Sequence, residues 1–176
     1  EPILIGVTKK GNWVLLDESD PFVSGADSLP AVPEDAPRLS TDIHGFTKSE
    51  TGELLKIDLA FSYIHGAYGE DGSIQGFFEI AGIPYIGSGV LASAVAMDKT
   101  FAKPIYSSLG LSVAQGFTLV KRDWETNQEK EIERIKKLGL PVFIKPARSG
   151  SSRGTSKVTS DSQIITAVDR KSTRLN

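Results

Sequence analysis

Short apolar runs, punctuated by glycine and proline, set the rhythm of this chain and predict its elements. PILIGVT at residues 2–8 reads as a buried strand, KKGN as a turn and WVLL at 13–16 as the return strand of a hairpin. From 17 to 38 the chain is rich in Pro, Ser, Asp and Ala without periodicity, which predicts a long surface connection with room for one short strand. GFT at 45–47 and ELLK at 53–56, separated by ETG, predict a second small hairpin. IDLAFSYI at 57–64 is a further apolar strand, ending on His65. Ile74, Phe77, Phe78 and Ala81 then recur at helical spacing, with Asp71 or Ser73 able to cap the helix and Gly82 to end it. IPYI at 83–86 starts the next strand, and strand, helix, strand implies parallel pairing.

The second half is more helical. ASAVAM at 92–97 is a small-residue helix, and Asp98 caps another whose stripe is Phe101, Ile105 and Leu109, with Gly110 at its end. Pro104 lies inside that helix, where proline costs about 3 kcal/mol against alanine, so a kink or local break is expected. Residues 114–121 read as a strand, and 125–138 as a polar helix with Ile132, Ile135 and Leu138 inward, stopped by Gly139. PVFI at 141–144 is a strand ending on Lys145. After Lys157 and Val158, Ser160 or Asp161 caps a helix that buries Ile164, Ile165 and Val168. From Asp169 the apolar pattern stops, so 169–176 read as a frayed end or a tail foreign to the domain.

Composition narrows the function classes. The chain is 39% hydrophobic and 24% charged, as in a folded globular protein, and 20 Lys and Arg against 22 Asp and Glu leave a net charge of -2. No basic field exists to recruit nucleic acid or an anionic membrane. There is no cysteine, which removes thiolate metal sites and thiol nucleophiles, and His44 and His65 are too few for a histidine-rich metal site. No apolar run reaches the roughly 20 residues that span a bilayer, so a cytoplasmic setting is expected. The chain begins at Glu1, inside a strand pattern, as a segment of something larger would.

Candidate chemistry concentrates in LPVFIKPARSGSSRGTSKV at residues 140–158. Glycines let the backbone approach an anion, hydroxyls and amides donate, and Lys145, Arg148, Arg153 and Lys157 supply positive charge. It is not a Walker A loop, since G-x-x-x-x-G-K-[ST] is absent. On these residues alone a flexible surface hairpin remains the alternative. GSGVLA at 87–92 fits a dinucleotide fingerprint, but the acidic residue required about 20 positions further on is missing. His65 falls at a strand end, where α/β sheets place ligands, or where a histidine serves only structure. Glu70 and Asp71 read as loop-organising and helix-capping, because adjacent carboxylates seldom aim at one point. Lys99 alone reads as a solvated lysine.

HGAYGEDGSIQG, GIPYIGSGV, MDK and FIKPARSGSSRGTSKV, in that order and spacing, resemble the D-alanine-D-alanine ligase family of the ATP-grasp superfamily, which includes D-alanine-D-lactate ligases. The resemblance runs from about residue 2 to 168. It implies an α/β fold: an N-terminal parallel-sheet (pre-ATP-grasp) domain at 1–91 and a small α+β ATP-grasp central subdomain at 92–168, both incomplete, followed by the tail at 169–176. It further implies ATP-dependent formation of D-alanyl-D-alanine through an acylphosphate, for peptidoglycan precursors. A D-alanine-D-lactate ligase is the alternative, and a non-catalytic partial nucleotide-binding module is the reading for the chain by itself, which is expected to be inactive. By the same resemblance His65 lies beside the first D-alanine, Ser151 orients substrate, Lys99 and Lys145 reach ATP phosphates, and Gly150, Ser151, Ser152 and Gly154 line the nucleotide loop. Magnesium is expected on ligands from a C-terminal domain beyond this chain. The first strand and its substrate-orienting glutamate are expected to precede Glu1. The whole protein is expected to be a cytoplasmic homodimer acting on small molecules, with no nucleic-acid or membrane partner.

Overall fold

The computed structural model describes residues 2–17 and 31–172. Glu1, the middle of the expected 17–38 connection and the last four residues of the expected tail lie outside the described residues. Two compact units result, one of Glu1–Tyr63 with Ser73–Gly89, the other of Ile64–Gly72 with Val90–Asn176.

In the first unit β1 (Leu4–Val7) and β2 (Trp13–Leu16) form the expected hairpin, with Leu4 opposite Leu16 and Val7 opposite Trp13. Thr8 closes its turn: its carbonyl accepts from Gly11 N at 2.9 Å and its hydroxyl from Asn12 N at 3.3 Å. β3 (Arg38–Asp42) and β4 (Gly45–Lys48) complete an antiparallel sheet of order β1-β2-β3-β4. The expected second hairpin forms as a narrow antiparallel pairing, the bridge from Thr47 to Leu54 being flanked by Leu55 N donating to Phe46 O and Lys48 N donating to Glu53 O, both at 2.8 Å. The longer ladder of β4 is with β3, which was not expected, since RLSTD has a single apolar side chain and therefore no strand signature.

The strand-helix-strand unit is present and parallel, but short. β5 (Ala60–Phe61) pairs with β6 (Tyr85–Ile86) over two residues each, joined through α1 (Ser73–Ile80). The larger sheet is antiparallel, contrary to the expected parallel-sheet domain: β1 and β2, and β3 and β4, are joined by turns too short for a crossover, and β2 and β3 pair antiparallel across the 17–37 connection. Ile74 and Phe78 bury the predicted stripe of α1 against Leu39, Phe46 and Ile83, with Phe77 and Ala81 packed beside them. Phe46 is 2% exposed and meets Trp13 and Phe77 edge-on, at centroid distances of 5.2 and 5.1 Å.

The second unit contains α2 (Val90–Met97), α3 (Lys99–Ser108), α4 (Lys121–Thr126), α5 (Gln128–Lys136), the antiparallel hairpin β7 (Val142–Ile144) and β8 (Ser156–Val158), and α6 (Ile164–Ser172). α3 runs on through Pro104 without the expected break. Its expected apolar stripe faces outward: Phe101, Ile105 and Leu109 are exposed, and Ala102 is the buried residue. Residues 114–121 form no strand ladder. Phe117 and Leu119 instead pack onto the cluster of Trp124, Ile135, Val158, Ile164, Ala167 and Val168. The Arg134 guanidinium sits 4.0 Å from the Phe117 ring centroid while pairing with buried Glu131 at 2.7 Å. Ile135 is inward as expected, but Leu138 and Ile165 are exposed. Ser160 holds the N-cap position of the last helical segment as expected, its carbonyl accepting from Gln163 N at 3.1 Å but its side chain making no cap hydrogen bond, while the Gln163 side chain reaches back to accept from Thr159 N at 2.8 Å. α6 continues through Asp169, whose carboxylate accepts from Trp124 Nε1 at 3.1 Å, so the tail expected from 169 begins inside a helix.

Candidate functional site

β7 ends at Ile144, and the chain then passes through Lys145 into the glycine-serine loop before returning as β8. Lys145 is exposed, with Nζ 5.6 Å from the Phe143 ring centroid, so its stem lies along an apolar surface and its charge stays in solvent. Arg153 N donates to Gly150 O at 3.0 Å across a turn whose two central residues, Ser151 and Ser152, have φ of 48° and 54°. Two successive left-handed residues make the pattern of a type I′ turn, normally built from Asn and Gly. Thr155 N donates to Ser152 O at 3.0 Å, and Ser149 Oγ to Arg153 O at 3.2 Å. Ser151 and Ser152 are exposed, and the space around Gly150 is open.

The root of the loop is held by the junction of α2 and α3. Lys99 N donates to Ala147 O at 3.1 Å, and Lys99 Nζ donates to Ser149 O at 2.7 Å and to Ala147 O at 3.4 Å. Lys99 is therefore not a solvated lysine. An ammonium has three donors, which leaves one beyond these two carbonyls. Next to it Asp98 caps α3, Oδ1 accepting from Thr100 N at 2.9 Å and Thr100 Oγ1 at 2.6 Å, while Oδ2 accepts from Arg148 Nε at 2.7 Å. Burial pushes the Asp98 carboxyl up, but the hydrogen bonds from Thr100 and Arg148 and the Arg148 charge outweigh it, holding the group below its ordinary 3.8. Sequence reasoning identified Asp98 as a cap and Arg148 as a cation without joining them. No local signal could have done so, since fifty residues separate them.

His65 stands on a separate loop of the same unit. Glu70 closes that loop: Oε2 accepts from Gly66 N at 2.6 Å, Glu70 N donates to Gly66 O at 3.0 Å, and Oε1 lies 3.7 Å from His65 Nδ1. Asp71 accepts from Tyr68 N at 3.0 Å, and Tyr68 adopts φ of 68°. Both carboxylates thus organise the loop, and neither is aimed outward at a shared point. Gly69 is required because a Cβ there would lie 2.0 Å from Ile64 O.

The loop leaves a strand end, is tied at its root to the N-terminus of α3, and carries Arg153, with Lys145 before it and Lys157 after it in the chain. The family models described as D-ala D-ala ligase N-terminus and D-ala D-ala ligase C-terminus match residues 1–88 and 105–174. The chain belongs to the D-alanine-D-alanine ligase family. It is 43% identical to the D-alanine--D-alanine ligase of Paenarthrobacter aurescens (strain TC1), the match covering 96% of this chain and 47% of that protein. With the enzyme of the same name from Mycobacterium tuberculosis (strain ATCC 25618 / H37Rv) the identity is 42% at the same coverages. Among solved structures, the D-alanine-D-alanine ligase from Coxiella burnetii superposes with a TM-score of 0.81 at 27% identity, over 96% of this chain and 49% of that one. VanG D-Ala:D-Ser ligase from Enterococcus faecalis superposes with 0.79 at 34% identity, over 97% and 49%. The chain spans about half the length of the relatives it matches.

Proposed function

We propose that this chain supplies the D-alanine loop and the nucleotide-phosphate loop of a D-alanine-D-alanine ligase, the whole protein joining two D-alanines at the expense of ATP. The observation that carries this reading is the placement of Lys99, held with its ammonium against the carbonyls of 147 and 149 at the root of the loop that Lys145 enters. Two lysines and the amides of Gly150, Ser152 and Gly154 then form a cationic cradle for a polyphosphate. In the reaction proposed, a carboxylate oxygen of the first D-alanine attacks the terminal phosphorus of ATP and ADP leaves. The amine of the second D-alanine then attacks the acyl carbon, phosphate departs and the amine loses its proton. Lys99 and Lys145 counter charge on the phosphates, Ser151 orients substrate, and His65, steadied by Glu70, lies beside the first D-alanine.

Magnesium does not fit the described residues, among which no three His, Cys, Asp or Glu side chains converge on a point that could hold a metal ion. Among the described residues no helix is long and apolar enough to cross a membrane. On the same reading the whole protein is a cytoplasmic homodimer, which sedimentation of that protein tests.

The deciding assay measures phosphate release by the protein expressed from the full reading frame, with ATP, magnesium and D-alanine, against parallel reactions in which D-lactate or D-serine competes as second substrate. D-alanine-dependent release with D-alanyl-D-alanine as product supports the reading. Release that depends on none of the three overturns it.

A further inference from the structure

We propose that Asp98 and Arg148 are positioning residues that set the path of the glycine-serine loop, so that the geometry of its backbone amides depends on a carboxylate fifty residues earlier in the chain. The functional half of this inference rests on the nucleotide reading above. The structural half does not.

Packing does not hold the loop. Ser151, Ser152 and Arg153 are exposed, and nothing lies within 4 Å of a Cβ built on Gly150. What fixes its start is a run of polar ties in which three consecutive residues, Ala147, Arg148 and Ser149, are each bound to one of two consecutive residues, Asp98 and Lys99. Asp98 is itself rigidly set. It is 5% exposed, and its other oxygen accepts twice from Thr100 at the N-terminus of α3. A carboxylate so buried demands a partner, since an unpaired buried charge is strongly destabilising, and Arg148 is the residue that provides one. The Arg148 side chain is 75% exposed, so shortening it removes the ion pair while leaving the apolar core intact. The tie lies two residues before Gly150, where the chain enters the left-handed turn at Ser151 and Ser152. A shift at Arg148 is therefore passed directly to the amides of 150–154.

The test uses the protein from the full reading frame, with Asp98→Asn and Arg148→Met made singly and together. Hydrogen exchange is followed at amides 149–155, and ATP binding in the presence of magnesium by calorimetric titration. Each single variant is expected to speed loop exchange about tenfold with α6 and β8 unchanged, and to raise the dissociation constant for ATP about tenfold, as loss of a charge-assisted contact does. The double variant should be no worse than the worse single, because both remove one interaction. Arg148→Lys, which keeps the charge, should recover part of both effects. Unchanged loop exchange in the single variants, or additive losses in the double, would overturn the proposal. So would quickened exchange spread evenly over α6 and the loop, which marks general destabilisation. If the unaltered protein binds no ATP while loop exchange responds as expected, the nucleotide reading falls and the positioning role stands.

Discussion

The two units solve different problems with different interactions. In the first, a run of aromatic contacts from Trp13 through Phe46, Phe77 and Phe78 to Tyr85 ties the antiparallel sheet to α1 and β6. Among its described residues, φ is positive only at glycines, as at Gly11, Gly45 and Gly82. In the second, Tyr68, Ser151 and Ser152 are non-glycine residues with positive φ, and they lie on the loop that carries His65 and the loop that follows Lys145. A left-handed non-glycine residue persists only where its surroundings over-determine it, and such residues gather at functional sites. The first unit is held by close packing, and the loops of the second by charge and hydrogen bonds against unfavourable backbone.

Removing an aromatic ring is the strongest way to probe that contrast. Phe46→Ala deletes a side chain 2% exposed and in edge contact with two rings, so stability should fall by about 3–5 kcal/mol, read from denaturant unfolding. Nucleotide affinity measured well below the unfolding midpoint should stay unchanged. Lys145→Ala should do the reverse. It removes an exposed charge from the mouth of the loop, so ATP affinity should weaken by roughly 1.5–3 kcal/mol with the unfolding curve unmoved. If Lys145→Ala leaves affinity unchanged in a folded protein, the lysine is an ordinary surface residue.

A smaller effect separates the two kinds of stabilisation by pH. The Asp98 carboxyl is held below its ordinary 3.8 in the folded chain, so it binds a proton more weakly than in the unfolded chain. Its contribution is complete above 3.8 and is lost as pH falls through the folded value. Unfolding measured from neutral pH into that acid range should show the unaltered protein losing its advantage over Asp98→Asn, the two curves converging at the acid end. A stability difference that stays constant across the range would mean that Asp98 ionisation contributes nothing.

Much of the first unit was legible because burial follows spacing. The stripe of α1 sits at helical intervals, and the hairpin of β1 and β2 carries its apolar runs on either side of KKGN. β3 was not legible, since RLSTD forms its ladder through backbone groups that every residue possesses. Residues 114–121 misled for the opposite reason. The spacing of Phe117 and Leu119 reports two side chains turned to the same core, which a strand shares with any extended segment lying on that core. Of the candidate site, the Lys145 loop and the His65 loop were marked by glycine, hydroxyl and charge, which are local properties, while the roles proposed for them came from the family resemblance. The Asp98 and Arg148 pair was not so marked, because each residue had a sufficient local reading of its own. The family resemblance identified the chain, but it did not reveal what holds the loop.

The smallest expected effect tests whether the left-handed turn is strained. Ser152 has φ of 54° with its side chain in solvent, so a Cβ there carries a backbone cost without a packing return. A left-handed conformation costs an L-residue roughly 1–2 kcal/mol, and glycine escapes it. Against this, glycine loosens the unfolded chain, which costs about 0.4–1 kcal/mol. The two effects nearly cancel with a small remainder, so Ser152→Gly should stabilise by about 0.5 kcal/mol. Ser152→Val should destabilise, because a β-branched side chain tolerates positive φ poorly. Denaturant midpoints for both variants, measured beside a silent substitution at an exposed site of the first unit, give the sign. If Ser152→Gly destabilises and Ser152→Val is neutral, the turn is relaxed as built, and the contrast between a packed unit and strained loops loses its backbone component.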